Sequence, residues 1–185
     1  KDHFYITILR EPVMRCISNY QDDCLRRGFQ GSIENWFELE KGRNYQVRQI
    51  AGEENLGKAI ELIKKFSFVG LTEKFDDSMK LLKLVSPYPL NINYMKKVVA
   101  SDNSIKEQIL SDKKKLELVN KHNLLDIELY NYVENELFPE RISENKEELA
   151  KISPPRNIYK NEITLNYQSG MFFNRFIQLI IIIIR

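Results

Sequence analysis

The pattern of apolar and polar residues divides the chain into short strands and amphipathic helices. Residues 4–9 (FYITIL) form an apolar run rich in β-branched side chains, which predicts a buried strand, and residues 66–71 (FSFVGL) predict a second one. A weaker alternation over residues 88–95 (YPLNINYM) predicts a third strand. Helical spacing dominates between and after these runs. Strands that alternate with helices favour an α/β fold with a largely parallel sheet.

The helix after the first strand has the clearest start and stop signals. Pro12 suits the first helical position, where its missing N–H costs nothing, and Gly28 suits the position just beyond the helix. Apolar residues follow one face between these two, namely Val13, Cys16, Ile17, Tyr20 and Cys24. The chain therefore opens with a strand–turn–helix unit.

The same signals predict the later helices. They are a short helix capped by Ser32, one over residues 55–65, one that Asp76 or Asp77 caps and that ends at Ser86, a charged one over residues 105–121, and one that begins at Asp126 and ends at Pro139. The lysines at positions 113–115 are interpreted as a solvated helix face rather than a contact for a polyanion.

Composition narrows the class of protein. The 185 residues are enough for one domain, and a net charge of +2 argues against a strongly basic nucleic-acid binder. Cys16 and Cys24 lie eight residues apart on one predicted helix, about 12 Å at a rise of 1.5 Å per residue, which is too far for a disulfide between them. With only His3 and His122 available and no Cys/His cluster, we expect no metal site.

The two ends of the chain differ from its middle. It begins at Lys1 without a leader and enters a strand almost at once, so we interpret it as the interior of a longer protein whose N-terminal part is absent. The apolar run within residues 171–185 is too short for a membrane-spanning helix and is interpreted as a non-native or disordered tail rather than a truncated membrane segment. The expected organisation is a folded domain over 1–140, a polar extension over 141–170 and this tail.

A candidate anion site lies where the first strand gives way to the helix. Ligands of parallel α/β sheets gather at the carboxyl ends of strands, where Arg10 stands, and the N–H groups of the next helix are expected to point to the same place. Arg15 and Ser18 are three residues apart and share one side of that helix. A guanidinium and a hydroxyl suit a phosphate. The alternative is that Arg10 pairs with Glu11 or another acid.

Four blocks of the sequence, in order, resemble one known family. FYITILREPVMRCISNY (residues 4–20) resembles the 3′-phosphate-binding motif of carbohydrate sulfotransferases, a strand followed by Leu-Arg-Asp-Pro and then Arg, Ser and an aromatic residue, with Glu11 in place of the commoner Asp. RNYQVRQIAG (43–52), FVGLTEKFDDSMKLL (68–82) and LDIELYNY (125–132) resemble three further blocks of that family. The resemblance spans roughly residues 1 to 140.

The family is the membrane-type group that includes heparan sulfate 2-O- and 6-O-sulfotransferases. The resemblance implies a three-layer, P-loop-type α/β fold and transfer of a sulfuryl group from 3′-phosphoadenosine 5′-phosphosulfate (PAPS) to a glycan hydroxyl, leaving adenosine 3′,5′-bisphosphate (PAP). It implies no metal and no nucleic-acid partner. A eukaryotic member would lie in the Golgi lumen, held to the membrane by an N-terminal anchor that this chain lacks, and a bacterial member would lie in the cytoplasm.

The resemblance also assigns roles to individual residues. It implies that Arg10 and Ser18 hold the 3′-phosphate of the donor, while Arg15 either joins them or forms a structural salt bridge. Asn44 and Arg48 either line the donor or acceptor cleft or serve the structure. Three further residues are expected to shape the end of the second strand and its turn, with a direct role in the site as the alternative, namely Gly70, Thr72 and Glu73.

The family's other half-site has no counterpart in this sequence. No Gly-rich loop with Lys and Ser/Thr, which would cradle the 5′-phosphosulfate, occurs in it, and His3 lies too close to the strand to match the family's general base. The fold is therefore expected to be incomplete, and the catalytic residues are unassigned. One alternative stays open, a non-catalytic fragment or pseudoenzyme that at most binds PAP. A nucleotide kinase-like protein of related topology is disfavoured, because it gives no reason for the Gly-Leu-Thr-Glu and Asn-Tyr-x-x-Arg blocks.

Overall fold

A computed structural model describes residues 4–39, 42–94 and 103–156 of the chain. Its elements, in chain order, are β1 (Ile6–Leu9), α1 (Pro12–Arg26), α2 (Ile33–Glu38), α3 (Tyr45–Ala51), α4 (Leu56–Lys64), β2 (Phe68–Leu71), α5 (Phe75–Val85), α6 (Ser104–Ser111), α7 (Lys113–His122), α8 (Leu124–Tyr132), a π-helical turn (Val133–Leu137), α9 (Phe138–Glu144) and α10 (Lys146–Ala150). The protein is thus mixed α/β and mostly helical, and the two strands of its described part pair in parallel, as the sequence predicted.

The described residues divide into two units. The sheet unit comprises residues 4–9, 65–94 and 134–156, and the helical unit comprises residues 10–39, 42–64 and 103–133. In the sheet unit, β1 and β2 are parallel and in register from Ile6 opposite Phe68 to Leu9 opposite Leu71. Every residue of both strands is buried, which explains why their sequences are apolar runs rather than alternating ones.

A glycine and a serine let α5 pack closely on β2. The Ser78 hydroxyl lies 2.9 Å from the backbone nitrogen of Leu71, whose N–H donates to it. A Cβ on Gly70 would stand only 3.0 Å from the Cβ of Ser78, so a side chain at Gly70 would push the helix away. The N–H of Thr72 donates to the carbonyl of Leu9 at 2.8 Å and extends the ladder past β2. Gly70 and Thr72 therefore shape the strand end, as expected.

Several predicted boundaries in the sheet unit were wrong. Helix α5 begins at Phe75 after Lys74, so Asp76 and Asp77 lie in its first turn and do not cap it. Residues 88–93 form no strand, and Tyr94 makes only an isolated bridge. Pro139 does not end a helix, because it lies in the first turn of α9, where a missing N–H is tolerated. Helices α9 and α10 also occupy residues 138–150, and Leu149 is buried.

The helical unit begins as the sequence predicted. Pro12 is the first residue of α1, and Gly28 has a φ of 73°, a left-handed conformation that glycine adopts without strain. Ser32 caps α2 with a reciprocal bond to Asn35. Trp36 on α2 is fully buried and donates its indole N–H to Asp23 at 2.7 Å. In the core of this unit, buried residues of α1 and α2 pack with Ile109 of α6 and Val119 of α7.

The charged helix expected over residues 105–121 is interrupted. Asp112 ends α6 and caps α7 by accepting the N–H groups of Lys114 and Lys115, which divides the segment into two helices. Both cysteines lie on α1 and are free, Cys16 buried and Cys24 half-buried. No helix in the described ranges is both long and apolar enough to span a membrane. His3, Met95 and residues 157–185, including the Ile-rich tail, lie outside the described residues.

Candidate functional site

Arg10 and Ser18 meet in the helical unit. Arg10 follows directly after β1 in the chain, and its Nη2 donates to the hydroxyl oxygen of Ser18, in the second turn of α1, at 3.2 Å. Both residues are half-buried. The structure thus brings together the two residues to which the resemblance assigns the 3′-phosphate.

The main chain of Arg10 is held by the side-chain amide of Gln46. The N–H of Arg10 donates to Oε1 of Gln46 at 2.9 Å, and Nε2 of Gln46 donates back to the carbonyl of Arg10 at 2.9 Å. Gln46 lies in the first turn of α3 and is buried. The sequence analysis missed this contact because a glutamine within a polar block gives no signal of the backbone it pairs with, 36 positions away.

The N-terminus of α1 does not offer its N–H groups to an anion, contrary to the expectation from the sequence. Glu11 is the N-cap, and its carboxylate accepts the N–H of Val13 at 2.9 Å and that of Met14 at 2.7 Å. Pro12 has no N–H to give. An anion at this place would consequently be held by the side chains of Arg10 and Ser18.

Arg15 lies inside the unit and serves its structure. The residue is only 3% exposed, and its Nη2 donates to the carbonyl of Gly42 at 3.2 Å and to Oδ1 of Asn123 at 3.1 Å. The same nitrogen lies 3.6 Å from Asp126, and the guanidinium stacks 5.0 Å from the ring centre of Tyr45. Of the two roles weighed for Arg15, this geometry favours the structural salt bridge.

Asp126 caps a helix, but not its own. It lies in the first turn of α8, which begins at Leu124 after Asn123, and its carboxylate accepts the N–H groups of Gln46 at 3.0 Å and Val47 at 2.8 Å at the start of α3. The prediction that Asp126 opens α8 was therefore wrong. Complete burial raises the pKa of Asp126, while Arg15 and the two N–H groups act in the opposite direction.

Asn44 forms the reciprocal hydrogen bond between the starts of α3 and α8. It precedes α3 with a left-handed φ of 38°, and its Oδ1 accepts the N–H of Leu125 in the first turn of α8 at 3.0 Å. Its Nδ2 donates to Glu54 at 3.1 Å. Asn44 is buried, and these hydrogen bonds favour its structural role over a role in the cleft. Arg48, the other candidate cleft residue, lies on α3 and is half-buried.

The sheet unit contains a cavity of about 250 Å³, and none of the sequence-predicted site residues lines it. Within the described ranges, no group of three or more His, Cys, Asp or Glu side chains is arranged to hold a metal ion. The Arg10–Ser18 pair is therefore the candidate site.

No protein-family model, curated protein or solved structure matches this chain.

Proposed function

We propose that the chain binds the 3′-phosphate of PAPS, or of its product PAP, through Arg10 and Ser18. In this proposal it belongs to a sulfotransferase of three-layer, P-loop-type fold that transfers a sulfuryl group to a hydroxyl of a glycan acceptor. The observation that carries the proposal is the 3.2 Å contact between Nη2 of Arg10 and the hydroxyl of Ser18, within the sequence block that resembles the family's 3′-phosphate motif.

The chemistry of the pair supports a phosphate ligand. A guanidinium donates in a planar fork that matches two phosphate oxygens, and its permanent charge favours the dianion. The Ser18 oxygen accepts from Arg10, so its own hydroxyl proton can be donated to a phosphate oxygen. Because Asp126 balances the buried charge of Arg15, Arg10 is the cation assigned to the ligand.

The role proposed for the chain is to position the nucleotide. In-line displacement requires a base that takes the proton of the acceptor hydroxyl and cations that stabilise the charge growing on the leaving nucleotide. Neither is assigned to a residue of this chain. Arg10 and Ser18 hold the 3′ end of the donor, and this fixes the direction in which the sulfuryl group is presented.

Calorimetric titration with PAP tests the proposal. We expect Arg10→Ala to weaken PAP binding by at least about 1.5 kcal/mol, the scale of a hydrogen bond to a charged group. Arg26→Ala is the matched control, because Arg26 is the last residue of α1, is 72% exposed and pairs with Asp22 at the surface, so its loss should leave the affinity unchanged. Equal PAP affinity of the wild type and Arg10→Ala would refute the site.

A transfer assay with PAPS and sulfatable polysaccharides separates an active sulfotransferase from a non-catalytic protein. Sulfation of the polysaccharide would support the enzyme. A chain that binds PAP through Arg10 but transfers no sulfuryl group would instead fit the non-catalytic fragment or pseudoenzyme that the sequence left open.

A further inference from the structure

The side-chain amide of Gln46 forms two hydrogen bonds with the main chain of Arg10, the pattern that a paired β-strand residue makes. It donates one hydrogen bond to the carbonyl of Arg10 and accepts one from its N–H, both at 2.9 Å. Two bonds to a single residue fix both the position and the orientation of its peptide groups. Arg10 is thereby held at the point where the chain leaves β1 for α1.

The backbone of Gln46 is itself held by a hydrogen bond to Asp126. Its backbone N–H donates to Oδ2 of Asp126 at 3.0 Å, and Asp126 is fully buried next to Arg15. Arg15 is in turn held by the carbonyl of Gly42 and the side chain of Asn123. A buried polar network therefore connects α1, α3 and α8 and ends at the main chain of Arg10.

We infer that Gln46 is a positioning residue for the 3′-phosphate site: by pairing with the main chain of Arg10, it presets the direction of the guanidinium toward the phosphate. The inference rests on the proposed function. Arginine has a long side chain with many rotamers, and a fixed main chain removes part of the freedom that binding would otherwise have to restrict. Gln46 acts through Arg10 and contacts no ligand itself.

Only a side chain of this length that carries both a donor and an acceptor can pair with the N–H and the C=O of Arg10 together. Leucine in place of Gln46 keeps the approximate volume and leaves the N–H and C=O of Arg10 without this partner. Ionised glutamate keeps the acceptor but sets an anionic oxygen against the carbonyl of Arg10. Protonated glutamate regains the donor and matches the amide. The glutamate variant is therefore sensitive to pH in a way that a packing role alone does not predict.

Calorimetry with PAP on the full chain tests the inference, with folding checked by circular dichroism. We expect Gln46→Leu to weaken PAP binding by about tenfold, the effect of losing one to two hydrogen bonds. In Gln46→Glu, burial of the position and the facing carbonyl of Arg10 should raise the pKa of the glutamate well above its usual range. Its affinity relative to the wild type at the same pH should therefore improve as the pH falls from about 8 to about 5.5. Gln49→Leu is the control, because Gln49 is exposed on the same helix.

The outcomes separate the two proposals. Weaker binding by Gln46→Leu together with acid recovery by Gln46→Glu supports the inference, and if the leucine variant does not fold, the glutamate variant decides by itself. Unchanged affinity of a folded Gln46→Leu, or a glutamate variant whose relative affinity does not depend on pH, overturns the inference while Arg10→Ala still tests the site. A wild type that binds PAP no better than Arg10→Ala overturns both.

Discussion

Replacing Asp126 by alanine should be among the most damaging single changes in the helical unit. The carboxylate accepts two backbone N–H groups of α3, at 3.0 and 2.8 Å, and lies 3.6 Å from Arg15. Alanine leaves both N–H groups without this partner and removes the negative charge that faces a guanidinium only 3% exposed. The folded state loses a helix cap and gains an uncompensated buried charge.

The structure sets the expected size of the effect. Breaking a buried ion pair by removing one partner costs about 3–5 kcal/mol, whereas losing an ordinary exposed cap costs about 1 kcal/mol. Asp112 provides the exposed comparison in the same unit, since it also accepts two helix N–H groups, at 3.0 and 3.2 Å, but its side chain is 41% exposed. We therefore expect Asp126→Ala to reduce the free energy of unfolding by roughly 2–4 kcal/mol more than Asp112→Ala.

Urea unfolding followed by circular dichroism measures both losses. At a slope of about 2 kcal/mol per molar urea, the predicted difference moves the midpoint by roughly 1–2 M. Arg15→Met combined with Asp126→Ala should recover part of the loss, because no unpaired charge is then left buried. A cost for Asp126→Ala no greater than that for Asp112→Ala would refute the reasoning that this pair is buried and coupled.

Two further predictions concern titratable groups. Burial raises the pKa of Cys16 to about 11, so its thiol should not react with Ellman's reagent in the native protein. We therefore expect one reactive thiol in the native state, that of the half-buried Cys24, and two in denaturant. Two thiols that react equally fast in the native protein would contradict the structure. Burial, together with Arg43 and Lys121, lowers the pKa of His122 below 6.5. As the pH drops below 6.5, His122 is therefore protonated in the unfolded chain before it is protonated in the folded one, and the free energy of unfolding falls. This fall should be smaller in His122→Gln. A ring titration by NMR at or above 6.5 would contradict this.

Local signals were sufficient for the elements around Arg10. The effects of Pro12, Ser32 and Gly28 depend on backbone within a few residues of each, and all three occupy the positions that the sequence predicted. The parallel strands could be predicted because buried strands read as apolar runs. One prediction failed at Asp126, because an acidic residue near two helix starts can cap either of them. Another failed at residues 88–94, where the alternation of apolar and polar residues is weak.

The sequence by itself determined the strand–helix pair and the presence of Arg10 and Ser18 at its junction, because both depend on interactions close along the chain. The tertiary structure decided what the neighbouring polar residues do. Gln46 reaches Arg10 across 36 positions and Asp126 reaches Gln46 across 80, and no local pattern specifies such partners. The requirement that buried polar groups be paired selects these contacts, and it can be met only once the helices have packed.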